Sequence, residues 1–214
     1  MTLAPAVLDR PAALRSLQPR ELADHITHGT LVIDLRDPDT FDAGHVPGAL
    51  NLPATLDLAA ALAPLAGGPL ALVAATTGEH ATADMLARSR PLLGTLSGID
   101  DWARAGLPLR TSQSLDPERA ARQLAGGGVA LIDVRSRADW LSGQVPGSLN
   151  VPLPLLLRRR RPLPALPLLV AGDDAGQAAL AASAIRAAGH PMVWRVGDGG
   201  TAELIRCGVV PRVL

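Results

Sequence analysis

Few side chains in this sequence can do chemistry, and their types narrow what that chemistry is. One thiol is present, Cys207, which excludes an intramolecular disulfide and any metal site built from several cysteines. All twenty basic residues are arginine, so neither a Schiff-base lysine nor the lysine of a phosphate-binding P-loop is available. His45, within Gly44-His45-Val46-Pro47-Gly48, has the residue type of a general acid or base. Two short polar stretches each follow an apolar run: Ala75-Thr76-Thr77-Gly78-Glu79-His80 and Gly172-Asp173-Asp174-Ala175-Gly176-Gln177. Their hydroxyl, carboxyl, amide and imidazole groups are suited to holding a small polar ligand. Arg158, Arg159, Arg160 and Arg161 form a run of charge of the kind that docks a phosphate, an acidic protein or RNA. No aromatic residue is interleaved with them, and the run reads as a solvated loop or helix end.

A repeated framework has to position these groups. Leu31-Val32-Ile33-Asp34-Leu35-Arg36, Phe41, Gly44, Val46-Pro47-Gly48, Leu50-Asn51 and Pro53 recur 99 residues later. There they read Leu131-Ile132-Asp133-Val134-Arg135, Trp140, Gly143, Val145-Pro146-Gly147, Leu149-Asn150 and Pro152. Helical stretches open at Leu17-Gln18-Pro19 before the first copy and at Leu115-Asp116-Pro117 before the second. Asp116 suits an N-cap, and Pro117 suits a first turn whose N–H has no partner in any case. Trp102 and Gly106 correspond to Leu204 and Gly208. The chain is a duplicated domain, with copies at residues 15–110 and 113–214 and an exposed connector between Gly106 and Asp116.

The 214 residues are 48% hydrophobic but only 2% aromatic, so the core must be built from Leu, Val, Ile and Ala. That apolar content excludes a disordered protein. A formal net charge of zero gives no global attraction to nucleic acid, which is not expected as a partner. Short apolar runs at Thr30–Leu35, Leu70–Ala74, Val129–Val134 and Leu166–Val170 read as buried strands, and Thr82–Arg88 and Ala178–Ala188 as helices, the latter closed by Gly189. Alternating strands and helices of this kind make a mainly parallel sheet, with ligands beyond the carboxyl ends of the strands. Leu58 to Gly78 is uncharged over 21 residues, but Pro64, Gly67, Gly68 and Pro69 break it into a helix, a turn and a strand. No secretory signal is apparent and the lone thiol fits a reducing compartment, so a soluble, cytoplasmic protein without a membrane partner is expected.

The block Ile33-Asp34-Leu35-Arg36, Phe41, Gly44-His45-Val46-Pro47-Gly48-Ala49, Asn51 and Pro53 resembles the signature of the rhodanese-like family. That signature is a strand ending D-x-R, an aromatic residue, then G-H-I-P-G-A-x-N-x-P. The stretch Gly98-Ile99-Asp100-Asp101-Trp102-Ala103-Arg104-Ala105-Gly106-Leu107-Pro108 is similar to the family's ending, G-G-x-x-A-W-x-x-A-G-x-P. The second copy has Gln144 in place of the histidine and, between Gly199-Gly200 and Gly208, Leu204 in place of the tryptophan. The resemblance implies an α/β fold of two rhodanese-like domains, each a mainly parallel sheet with helices on both faces. Most of the opening block reads as scaffold. A group that must carry a proton cannot be exchanged for an amide, so the pair His45 and Gln144 argues against a shared catalytic role.

Active members of the family hold a nucleophilic cysteine at the start of a C-x-x-G-x-[RS] loop, between a strand and a helix. Backbone N–H groups and the helix N-terminus lower the thiol pKa there and hold an anionic sulfur donor. Here Ala75 stands at that position in the first copy, and Gly172 in the second when the loop is aligned from its helix and Gly189. A slip of one residue finds no cysteine. Glu79, Asp173 and Asp174 add negative charge where a donor anion needs positive, and two like charges about 4 Å apart cost about 4 kcal/mol before screening. Cys207 aligns with Ala105 near the end of the last helix, where the dipole raises a thiol pKa, and Arg206 beside it partly offsets this. It reads as a structural or merely exposed thiol. The expectation is a catalytically inactive tandem protein, acting as a binding or regulatory module for a small polar ligand or a protein partner. No cofactor and no metal are expected. A sulfurtransferase of the thiosulfate type is the alternative that the resemblance implies, and recruitment of an acidic partner by Arg158–Arg161 is a third.

Overall fold

Two parallel sheets of matching strand order share one core, in which an alanine-rich helix touches strands of both. The computed structural model describes residues 14–54, 56, 61–65, 68–89, 91–158, 162–197 and 200–208. In the first sheet β1 (Leu31–Asp34), β2 (Leu50–Asn51), β3 (Leu70–Ala74) and β4 (Leu92–Ser97) lie in the order β2-β1-β3-β4. The second holds β5 (Ser114–Leu115), β6 (Ala130–Asp133), β7 (Leu149–Asn150), β8 (Leu168–Ala171) and β9 (Val193–Val196) in the order β5-β9-β8-β6-β7. The counterpart of β5 in the first sheet is a single parallel bridge from Ser16 to Thr95. Gly94, at φ +149, permits that approach, because a Cβ there would lie 2.4 Å from the Arg15 carbonyl oxygen. The β3–β4 register also shifts beside it, a bulge of the kind glycine allows.

Helices α1 (Pro19–Thr27), α2 (Pro38–Ala43), α3 (Thr77–Ser89) and α4 (Asp100–Arg104) belong to the first copy. The second contributes α5 (Pro117–Gly126), α6 (Arg137–Ser142), α7 (Leu153–Leu157), α8 (Ala175–Ala187) and α9 (Gly200–Arg206). Asp116 caps α5 by accepting the Arg119 N–H at 2.8 Å. The strands alternate between two cores. Leu70, Leu72, Leu168 and Val170 point into a core shared by both sheets, while Ala71, Val73, Leu169 and Ala171 point to separate outer cores. Both faces are covered, which is why the strands read as unbroken apolar runs. α8 is apolar on nearly every side and must be enclosed. Ala178 through Ser183 are all buried, and the Ser183 hydroxyl accepts the Asn51 N–H of β2 at 2.9 Å.

The framework residues bond to one another. Arg36 donates to both Asp34 oxygens, through Nε at 2.9 Å and Nη2 at 2.5 Å, and again to the Gly44 carbonyl at 2.9 Å. Arg135 repeats this with Asp133, at 3.1 and 2.8 Å, and with the Gly143 carbonyl at 2.7 Å. Asn51 and Asn150 each donate through Nδ2 to the two carbonyls that flank this turn. The equivalence is exact in register, since Asp34 pairs with Asn51 and Val73 while Asp133 pairs with Asn150 and Ala171.

One expectation needs correction. α3 and α8 begin at Thr77 and Ala175, before the expected Thr82 and Ala178, because residues of the preceding loops cap and form their first turns. The stretch between Gly106 and Asp116 is exposed but stitched down. Arg110 pairs with His45 in an antiparallel bridge, the Ser112 hydroxyl donates to Asp42, and β5 joins β9. In the uncharged stretch from Leu58, residues 58–60, 66 and 67 lie outside the described residues; 61 and 62 are helical, a turn follows at 63 and 64, and the strand begins at Leu70. Among the described residues no helix is long and apolar enough to cross a membrane.

Candidate functional site

The first loop is the two residues between the end of β3 at Ala74 and the start of α3 at Thr77. Thr76 caps the helix: its Oγ1 accepts the Glu79 N–H at 3.3 Å, and its carbonyl accepts the His80 N–H at 3.0 Å. Glu79 reaches back, and its Oε2 accepts the N–H of Thr76 at 3.2 Å and of Ala75 at 2.6 Å. The stretch Thr76-Thr77-Gly78-Glu79 is thus a capping box, widened by one donor. Charge-assisted bonds of this length are the strong ones. The negative charge read from the sequence is therefore seated on the N–H groups that face the loop.

The second loop does the same with an amide. Asp174 caps α8 by accepting the Gln177 N–H at 2.8 Å. Gln177 Oε1 accepts the Asp173 N–H at 3.3 Å, and its Nε2 donates to the Asp173 carboxylate at 3.0 Å. Asp173 and Asp174 are exposed, Ala175 and Gln177 half-buried, and Gly176 buried.

The ladders correct the alignment of the two loops. Leu35 donates to the Val73 carbonyl and Val134 to the Ala171 carbonyl, each at 2.9 Å. Ala74 therefore matches Gly172, and Ala75 matches Asp173 rather than Gly172. The corrected register also superposes the glycines at the fourth loop position, Gly78 and Gly176. Gly172 itself is buried and has a packing role: its carbonyl accepts the Thr201 N–H at 3.0 Å, and a Cβ on it would meet the Gln177 Cβ at 2.9 Å. The loop heads carry a methyl group and a carboxylate.

The remaining candidates lie apart from these loops. Cys207 is exposed just past the end of α9, with its N–H on the Glu203 carbonyl at 3.0 Å. Arg206, expected to offset the helix end in part, is paired with Glu203. Thr201, at the other end of α9, is the residue that touches Gly172, so the thiol sits about 9 Å farther along the helix axis. His45 is buried, stacks on Phe41 with centroids 3.9 Å apart, and bonds through Nδ1 to the Phe41 carbonyl at 2.9 Å. Burial, with the Arg186 charge nearby, lowers its pKa to about 4. The carbonyl can only accept, so Nδ1 carries the proton and the ring is neutral near pH 7. Arg158 is exposed at the end of α7, while Arg159, Arg160 and Arg161 lie outside the described residues. Among the described residues no group of three or more His, Cys, Asp or Glu side chains is placed to hold a metal ion.

Sequence reading missed a charged cluster between the two copies. Arg195 in β9 is 1% exposed; its Nε donates to Asp42 at 2.7 Å, and its Nη2 pairs with Asp39. An arginine inside the apolar strand Val193-Trp194-Arg195-Val196 was the available signal.

Residues 18–95 and 116–206 both match the rhodanese-like domain model. With two matches over most of its length, the chain belongs to the rhodanese-like domain family. It is similar in structure to a thiosulfate sulfurtransferase from Pseudomonas aeruginosa, at 21% identity and a TM-score of 0.41, over 92% of this chain and 40% of that one. This chain therefore spans well under half the length of that relative. A rhodanese-related protein from Thermoplasma volcanium matches at 22% identity and a TM-score of 0.40, over 45% of this chain and 97% of that one. A 3-mercaptopyruvate sulfotransferase structure from Escherichia coli matches at 18% identity and a TM-score of 0.33, over 84% and 96% of the two chains. The family assignment rests on the two matched stretches and not on these likenesses. A comparison with curated proteins finds no match.

Proposed function

We propose that this tandem rhodanese-like protein is catalytically inactive in sulfur transfer and acts as a binding or regulatory module for a small ligand or a protein partner. One observation carries the reading. Glu79 engages the N–H groups of Ala75 and Thr76 in one loop and Gln177 that of Asp173 in the other, at loop heads formed by Ala75 and Asp173. Neither a methyl group nor a carboxylate can carry sulfur, and an entering anion has to displace a carboxylate already bonded at 2.6 Å. Thr76, Thr77, Gly78 and His80 then offer surface for a neutral or cationic group, and Asp173, Asp174, Ala175, Gly176 and Gln177 do so in the second loop. Residues 15–110 and 113–214 are the units we assign to the two domains. The lone thiol suits a reducing compartment such as the cytoplasm. Incubation with thiosulfate followed by a persulfide trap tests the reading: no labelling is expected, and stoichiometric labelling contradicts it.

A further inference from the structure

A cleft of about 470 Å³ lies between the two copies, walled by His45, Arg110, Thr111, Ser183, Arg186 and His190 among others. It is not the loop region. Arg186 is in the last turn of α8, about 18 Å along the helix axis from the Asp174 cap.

Arg186 is the unusual member. It is half-buried, yet its Nε and Nη2 are sealed from solvent and have no acceptor among the described residues. These two nitrogens form one edge of the guanidinium, the edge that grips carboxylate and phosphate oxygens in pairs. A buried charge is ordinarily paired, because desolvating an ion costs several kcal/mol. The carboxylate whose charge acts on Arg186 is Asp42, and both its oxygens are bonded elsewhere, Oδ1 to the Ser112 hydroxyl and Oδ2 to Arg195 Nε. Asp39 pairs with Arg195 as well. Arg195 repels Arg186, and Arg110 adds a further cation at the cleft wall. His45 is neutral and supplies no counter-charge.

We infer that the cleft between the two copies is a binding site for a small oxoanion, a carboxylate or a phosphate, with Arg186 as its principal partner and Arg110 at its wall. The cleft volume falls in the range of small-molecule sites, which favours a free small anion as the occupant. Binding requires the Arg186 side chain to turn, so that this edge, sealed from solvent in the structure, meets the cleft. Asp39 and Asp42 balance Arg195 and Arg186 in charge, and Arg110 at the wall leaves one positive charge in excess to attract an anion. This inference stands apart from the proposed loss of sulfur transfer, since it involves neither loop and no thiol.

The test is calorimetric titration of the full chain with inorganic phosphate and with malonate, at constant ionic strength set by chloride. Saturable binding of at least one probe is expected, weakened tenfold or more in Arg186→Gln and less in Arg186→Lys, which keeps the charge but not the paired donors. Arg110→Gln should weaken it by a smaller factor. A thermal scan in chloride alone gives a second reading: Arg186→Met should unfold at the same temperature as the unaltered protein or higher, because two sealed N–H donors without acceptors are removed. Absence of saturable binding in the unaltered protein overturns the inference whatever the variants do. Binding that Arg186→Gln leaves unchanged also overturns it. A marked drop in unfolding temperature for Arg186→Met, with no anion effect, assigns the guanidinium to the fold instead.

Discussion

The carboxylate of Glu79 accepts the backbone N–H of Ala75 at 2.6 Å, so the first residue of the loop is tied to a side chain four positions on. The capping side chain of the helix thus occupies the N–H groups of Ala75 and Thr76 at the head of the loop. The two copies reach this arrangement with different residues, Glu79 in one and Gln177 in the other, both at the third position of the helix.

If Glu79 is chiefly a cap, Glu79→Ala should destabilise the protein by about 1 kcal/mol, and Thr76→Ala by a similar amount. Urea unfolding should show lower midpoints with unchanged slopes. A neutral or stabilising Glu79→Ala would mean that the carboxylate serves something other than the helix.

Adding a thiol should separate the nucleophile from its surroundings. Ala75→Cys should give at most a feeble transfer of sulfur from thiosulfate to cyanide, because Glu79 still competes for the N–H groups. Ala75→Cys with Glu79→Arg should do better, gaining both free donors and positive charge. Equal rates in the two variants would show that Glu79 is not the obstacle.

The corrected register in the second loop has its own consequence. Gly172→Cys forces a Cβ to within 2.9 Å of the Gln177 Cβ, and should cost about 1–3 kcal/mol. Asp173→Cys, at an exposed position, should fold normally. Thermal unfolding of the two variants distinguishes them, and the reverse order of stabilities would restore Gly172 to the loop head.

His45 makes stability depend on pH. Its folded pKa, about 4, lies below the ordinary histidine value of 6.5, so the unfolded chain binds the proton more readily. The contribution is complete above about pH 6.5 and is lost as pH falls toward 4, by on the order of 3 kcal/mol. Asp42, Arg36 and Arg186 are the charges acting on the ring. His45→Gln, the residue of the second copy, should flatten the stability profile over that interval, as followed by denaturant unfolding at several pH values. An unchanged profile would place the acid sensitivity elsewhere.

Arg195 ties the copies together through Asp42 and Asp39. Arg195→Met leaves the Asp42 carboxylate buried without its cation, and should cost about 3–5 kcal/mol. The double variant with Asp42→Leu should recover much of that loss. Additive losses in the double variant would contradict a paired role.

What could be read from the sequence was whatever repeats or lies close along the chain. Asp34 with Arg36, and Asp133 with Arg135, are two residues apart, and their shared spacing revealed both the duplication and the scaffold. The helix starts were missed because first turns carry no apolar periodicity, although Thr76-Thr77-Gly78-Glu79 held the cap pattern. The loop head of the second copy was misplaced by one residue because the helix end at Gly189 guided the alignment, while Gly78 and Gly176 would have fixed it. The Arg195–Asp42 pair joins residues 153 positions apart, and only the sheets bring them together. Arg186, a lone charge on an otherwise apolar helix, was visible but had no partner within reach of sequence reasoning.

The most direct measurement is the steady-state transfer of sulfur from thiosulfate to cyanide by the purified protein and by Cys207→Ser. On the proposed reading the reaction needs a thiolate at the loop head, where Ala75 and Asp173 stand, whereas Cys207 is exposed just past the far end of α9. Both proteins should give only the rate of the uncatalysed background. Robust turnover by the unaltered protein, abolished in Cys207→Ser, would contradict the account and make the lone cysteine the catalytic one.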